Sequence, residues 1–400
     1  MKITALETVR LERHPTVLWV EVHTDEGLVG LGETFRDAES VATYLHAAVA
    51  PILIGADPLQ IEDINRRFLH GVLGFASSSI ETRAASAIDI ALWDLFGQSA
   101  GLPVWQMLGG RCRERIRAYN TCAGYVYNTV GERWRQIADG SEAAPALGPY
   151  EDQDAFVHRA DELAMSLIEE GFSAMKIWPF DPFSEAAAGT HIAPEDLRTA
   201  LKPFEKIRRA VGDRIDVMAE FHSLWNLPAA IRIGQALKPF APYWVEDPIR
   251  MESAASLRTY REQTGLPVCA SETLATRMGY RPFLEAEAVD IVMLDLSWCG
   301  GLTEARKIAA MAEAWQRPIA PHDCTGPVVL AASVHLAVHA PNALVQEVVR
   351  AYLAGWYRDV VTALPPLRRG EIAPPDGPGL GLRLLPDLKR SADAVVRRSA

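Results

Sequence analysis

The chain has 400 residues, 49% hydrophobic and 23% charged, enough to bury a full barrel and a smaller companion unit and too many for one barrel alone. Its formal net charge of −11 argues against nucleic acid and anionic membrane as partners, although a metal and a few bases can reverse the field inside one cleft. Met1 to Glu7 forms no apolar signal core, no apolar stretch reaches the length of a membrane span, and five cysteines without paired spacing exclude a disulfide framework or a zinc site, so a cytoplasmic location is expected.

In chain order, Val17 to Val22 alternates like a half-buried strand, turns at Asp25-Glu26-Gly27 and resumes at Leu28 to Gly32, a hairpin. Helical periodicity follows over 38–50, 59–70 and 80–98, up to the break at Gly101-Leu102-Pro103. These elements predict an α+β unit ending near Arg117. Strand and helix then alternate, with strands at 116–121, 174–178, 215–219, 242–246, 267–271, 290–295, 317–321 and 343–347. The intervening helices are expected at 153–170, 195–211, 228–239, 253–264, 276–287, 302–315 and 327–339, so the run nearly completes a (β/α) barrel. Segments 131–150 and 179–194 read as long connections on the C-terminal face, where barrel enzymes build their sites. Beyond Glu347, Leu364-Pro365-Pro366 and Pro374 to Gly379 cannot supply an ordinary eighth helix, so the chain is expected to leave the barrel and return to the N-terminal unit.

Three glutamates, Glu220, Glu246 and Glu272, recur at an interval of 26 residues, each at or just past the end of a short apolar run. That interval is one strand, one helix and two loops, which puts the carboxylates at the same end of three consecutive strands. Neighbouring strands lie about 5 Å apart, where two carboxylates repel by about 3 kcal/mol at an effective dielectric of about 20. Three such groups need a cation, and all-oxygen ligation favours Mg²⁺, then Mn²⁺, over zinc.

Asp295 and His322 close the sixth and seventh strands in the same way; an aspartate accepting one imidazole N–H leaves the other nitrogen to take a proton, which makes His322 the base candidate. His222, two residues past Glu220, is expected by strand alternation to face the barrel mouth as a second acid or base. Lys176, ending the second strand, suits an anionic substrate group or a developing oxyanion, and Glu347 ends the eighth strand, where a protonated carboxyl could donate a hydrogen bond. The tract from His322 to Pro327 opens a helix whose N–H groups could hold an anion. Cys324, with no further histidine placed to activate it, reads as a packing residue.

Taken together, these residues resemble the enolase superfamily, specifically its mandelate racemase branch, over essentially the whole chain. The resemblance implies an α/β fold: a (β/α)₇β modified TIM barrel over 118–347, an α+β capping domain over 1–117, and a C-terminal segment, 348–400, that returns to complete the cap. It implies Mg²⁺ on Glu220, Glu246 and Glu272, base chemistry at the Asp295 and His322 dyad, an enediolate formed by loss of the proton α to a carboxylate, and more than one subunit. Two departures bear on the reaction. Trp178 stands where racemases of the branch carry a second lysine, and an indole cannot act as a base. Glu220-Phe221-His222 resembles the Asp-x-His of galactonate and mannonate dehydratases, with glutamate for aspartate at the first ligand.

The resulting expectation is a Mg²⁺-dependent dehydratase acting on a small anionic sugar acid. His322 removes the α-proton, Lys176 and Glu347 stabilise the enediolate, and His222 protonates the departing β-hydroxyl to give a 2-keto-3-deoxy acid. Phe35, Arg36, Tyr125 and Tyr127 are expected to sort substrates, and the aromatic run from Tyr352 to Tyr357 to make a subunit contact or pack on the cap. A racemase, epimerase or lactone cycloisomerase would share the enediolate, and a non-catalytic sugar-acid sensor would need the dyad only for packing. The sugar's stereochemistry and the syn or anti geometry are left open.

Overall fold

The computed structural model describes residues 1–69, 78–127 and 148–400, so most of the expected first connection, 131–147, lies outside the described residues. Strands β1 (Ile3–Leu11), β2 (His14–Thr24) and β3 (Val29–Phe35) form an antiparallel sheet, which the last strand of the chain, Ala394–Ser399, extends by pairing with β1. The helix Ile80–Ala100 lies across this sheet and is buried along nearly its whole length. Its close approach explains two glycines in β3: a Cβ on Gly32 would meet the Ala87 carbonyl oxygen at 1.9 Å, and one on Gly30 the Ala91 oxygen at 2.2 Å.

Eight parallel strands follow: β4 (Ile116–Thr121), β5 (Ala174–Ile177), β6 (Asp216–Glu220), β7 (Val245–Glu246), β8 (Val268–Ala270), β9 (Ile291–Leu294), β10 (Ile319–Pro321) and β11 (Gln346–Val348). They pair in sequence order from β4 to β10, and β11 pairs with β4. A bridge from Ile319 to Ala343, with the Leu344 N–H donating to the Ile319 carbonyl at 2.9 Å, closes the curl. The interior is filled by Tyr119, Met218, Trp244, Cys269, Met293 and Ala320, a packed core rather than a pore.

The sequence-based boundaries shift by a few residues. The helix expected over 153–170 divides into Asp152–His158 and Ala160–Glu169 because Arg159 leaves helical geometry at φ −138°. β7 starts at Val245 rather than 242 and ends at Glu246 as expected, where Asp247 turns into the left-handed region at φ 40° ahead of Pro248. After β11 comes a five-residue helix, Arg350–Ala354, and then a small hairpin, Leu367–Arg368 with Glu371–Ile372, that adds to the start of β4. Tyr352 and Tyr357 are buried, and the Trp356 ring stacks on His14 of β2 at 4.4 Å, so the aromatic run packs on the N-terminal sheet. No helix among the described residues is long and apolar enough to cross a membrane.

The helix Pro327–His339 has an occupied N-terminus. Glu33 of β3, fully buried, accepts hydrogen bonds from the Val328 and Val329 N–H groups at 3.1 and 2.8 Å through one oxygen and from Trp19 Nε1 at 2.6 Å through the other. The helix N-terminus expected to receive an anion is therefore occupied by a side chain of the protein itself, a carboxyl that burial raises to about 8. Gly326 allows the approach, since a Cβ there would meet the Glu33 carboxyl at 2.3 Å.

Candidate active site

The C-terminal ends of the barrel strands surround a cavity of about 680 Å³. Parallel register sets Glu220 directly beside Glu246 at the ends of β6 and β7. Glu220 Oε1 accepts from the Phe221 and His222 N–H groups at 3.0 and 2.7 Å; Glu246 Oε2 accepts from Trp244 Nε1 at 3.0 Å. Both carboxylates meet Lys176, whose ammonium pairs with Glu246, lies 3.2 Å from Glu220 Oε2 and 3.0 Å from Glu347 Oε1. Burial works against the charged amine, but these carboxylates hold Lys176 well above the ordinary lysine range. Burial and the neighbouring Glu220 push Glu246 well above the usual carboxylate range.

Glu272 comes two residues after β8 and turns to His322, whose Nε2 lies 2.9 Å from Glu272 Oε2. His322 Nδ1 pairs with Asp295 Oδ2 at 2.6 Å. Burial lowers the imidazole's affinity for a proton, yet Glu272 and Glu347 raise it well above the histidine norm; His322 correspondingly draws the half-buried Glu272 carboxyl below its normal range. Trp298, buried in the cavity wall, stacks on the His322 ring at 6.1 Å and donates through Nε1 to the Phe35 carbonyl at 3.1 Å, tying the imidazole to the N-terminal unit.

His222 reaches the cavity by a different route from strand alternation. β6 ends at Glu220, and His222 and Ser223 both adopt left-handed backbone at φ 47° and 57°, so a tight turn aims the ring. Its Nδ1 lies 2.6 Å from Asp181 Oδ2, on the connection after β5. Although burial opposes the charge, Asp181 and Glu220 raise His222 to about 9. Trp178 is buried beside it, packed against Tyr127, Phe156 and the His222 ring, and lines the cavity. Phe35, Arg36 and Tyr127 also line it, whereas Tyr125 packs beside Gly148 and Gly355 instead. Cys324 is buried in the same wall, and burial holds its thiol far above reactivity.

Asp181, Asp247 and Trp298 were invisible to strand-end spacing. Asp181 and Trp298 sit in connections whose course only the fold defines. Asp247 directly follows Glu246 and accepts from Ser271 Oγ at 2.6 Å; burial and Glu220 push its carboxyl well above the usual range. The step Glu246-Asp247-Pro248 could have flagged it, because proline after an acidic pair at a strand end marks a turn into the site.

These residues suit a hard divalent cation. The donors are buried or half-buried carboxylates; Glu220 Oε2 and Asp247 Oδ1 have no hydrogen-bond partner among the described residues, the former lying 3.2 Å from the Lys176 ammonium. Glu220, Glu246 and Glu272 are not gathered within 4.8 Å here, because Glu272 is drawn to His322 and the other two to Lys176. Among the described residues the cluster that is so gathered is Glu7, Glu21 and His23, where Lys389 already bridges both glutamates.

Residues 3–109 match the mandelate racemase / muconate lactonizing enzyme N-terminal domain, and residues 159–388 match the enolase C-terminal domain-like family. The chain is 32% identical to a D-galactonate dehydratase of Ralstonia nicotianae over 391 residues, covering 96% of this chain and 92% of that one. It is 29% identical to a D-xylonate dehydratase of Haloferax volcanii over 387 residues, 96% and 87% of the two chains. A crystal structure of an enolase of the mandelate racemase subgroup from Agrobacterium tumefaciens superposes with a TM-score of 0.87 at 51% identity, covering 100% of this chain and 99% of the other.

Proposed function

The chain belongs to the mandelate racemase / muconate lactonizing enzyme family of the enolase superfamily, and from that premise we propose that it is a Mg²⁺-dependent sugar-acid dehydratase yielding a 2-keto-3-deoxy acid. The observation that carries this reading is a pair of carboxylate-held histidines in one cavity: His322 on Asp295 and His222 on Asp181, each through Nδ1 at 2.6 Å. One takes a proton and the other returns one. The two dehydratase-named relatives, both acting on sugar acids by name, support the same choice.

Glu220, Glu246 and Glu272 would hold Mg²⁺, which supplies fixed positive charge beside the substrate carboxylate. With Glu272 turned from it to hold the cation, His322 Nε2 would be free to accept the α-proton while Asp295 fixes the ring through Nδ1. Lys176 lies among the carboxylates where negative charge grows and offsets it. His222 delivers a proton to the β-hydroxyl as its C–O bond breaks; the electron pair of the α C–H bond becomes the new C=C bond, water leaves, and the enol tautomerises to the ketone. Trp178 puts an indole where a racemase of the branch needs its second base, which favours elimination over inversion. The test is a panel of aldonates and aldarates incubated with Mg²⁺ and assayed for 2-keto acid. Solvent deuterium appearing at the α-carbon without keto acid would replace this reading with an isomerase.

A further inference from the structure

We infer that the substrate is a polyhydroxy dicarboxylate whose second carboxylate, the one remote from the abstracted proton, is received by Arg36 and Arg250. This rests on the sugar-acid reading of the site and narrows it. Both arginines line the cavity that holds His322, His222 and Lys176, and both are exposed at its rim. Arg36 comes from the loop after β3, Arg250 from the connection after β7, so the N-terminal unit and the barrel each contribute one.

Neither guanidinium has a hydrogen-bond or ion-pair partner among the described residues. The chain has 51 acidic and 40 basic side chains, and some arginines take a carboxylate, as Arg261 does Asp290, Arg277 Glu304 and Arg350 Asp152, while others such as Arg115, Arg198, Arg209 and Arg232 stay unpaired among the described residues; what sets Arg36 and Arg250 apart is that both line the one cavity. Two unmatched guanidiniums facing one cavity are a demand for an anion from outside. A guanidinium only donates hydrogen bonds, so it fits a carboxylate better than the hydroxyl tail of a monoacid, which needs acceptors as well as donors.

The backbone fixes the position of Arg36. Its N–H donates to the Thr16 carbonyl at 2.6 Å, and the preceding carbonyl, of Phe35, accepts from Arg83 Nε at 3.2 Å and Trp298 Nε1 at 3.1 Å. Held this way, Arg36 sits at φ 70°, a left-handed conformation that an arginine rarely adopts without such restraint. A cavity of about 680 Å³ leaves room for an extended chain with a charged group at each end.

The test compares an aldarate with the aldonate of the same configuration, by kcat/KM and by calorimetric binding with Mg²⁺ present, in the wild type and in Arg36→Gln and Arg250→Gln, each checked for native circular dichroism. The aldarate should be preferred at least about tenfold, and each variant should cut its kcat/KM about tenfold, mainly through KM, shrinking the preference; Arg→Lys should keep part of it. An aldonate bound and turned over as well as its aldarate overturns the inference and leaves the dehydratase reading standing. A 6-phosphoaldonate preferred over both also overturns it. Arginine-dependent aldarate binding with no keto acid from any acid has the opposite meaning: the dicarboxylate site stands and the dehydratase reading falls.

Discussion

Lys176 is the counter-charge of the site, buried with three carboxylates around its ammonium. Removing one partner of a buried ionic group costs about 3–5 kcal/mol because the remaining charges are left uncompensated. Lys176→Met should therefore melt well below the wild type in EDTA and recover most of the difference in millimolar Mg²⁺; equal melting in both would mean that no cation binds these carboxylates. The two histidines separate by isotope. His322→Asn should slow deuterium exchange at the substrate α-carbon by about 10²–10⁴ while keeping the Mg²⁺-induced rise in melting temperature. His222→Asn should keep that exchange and lose keto acid formation; loss of both in this variant would remove His222 from the role of leaving-group acid.

The helix Pro327–His339 begins on a carboxylate that arrives from another part of the chain. Glu33→Ala would leave three buried N–H groups, those of Trp19, Val328 and Val329, without an acceptor, at about 1–3 kcal/mol for each that water does not reach. A loss of about 2–4 kcal/mol in urea unfolding is expected, with Glu33→Gln much milder because its amide oxygen still accepts; a Glu33→Ala change under 1 kcal/mol would mean that the carboxylate does not hold the helix. This element also marks what sequence makes legible. The interval between Glu220, Glu246 and Glu272 announces parallel strands because one βα unit repeats in length, and the register does place Glu220 beside Glu246. The pairing of Glu33 with Val328 and Val329 spans 295 and 296 residues and obeys no local period, so the same N-terminus reads from sequence as an open anion site. Asp181 and Trp298 escape for a related reason: left-handed turns and connections aim side chains without leaving any pattern of apolar residues.

At the scale of the whole molecule, the three parts of the chain meet at His335, which is fully buried in the barrel helix Pro327–His339. Its Nδ1 accepts from the Trp105 N–H at 3.2 Å, and its Nε2 donates to the carbonyl of Leu380, in the returning C-terminal segment, at 3.3 Å. A second proton has no acceptor there, and burial lowers the imidazole from 6.5 to about 4. At this imidazole the unfolded chain binds more protons than the folded one between those values, so its contribution to stability is full above pH 6.5 and is lost as pH drops toward 4. The difference corresponds to about 3 kcal/mol once the window has been crossed. His14, stacked on Trp356 in the N-terminal sheet and lowered to about 4 by burial, adds a loss of the same sign, whereas buried Asp89 and Asp94, raised to about 6, act in the opposite sense. His335→Gln isolates this group: it keeps a donor and an acceptor, carries no titrating group, and should lower stability at pH 7 while its difference in unfolding free energy from the wild type shifts in its favour by about 3 kcal/mol between pH 6.5 and 4. An unchanged slope in that variant would place the acid sensitivity outside this junction.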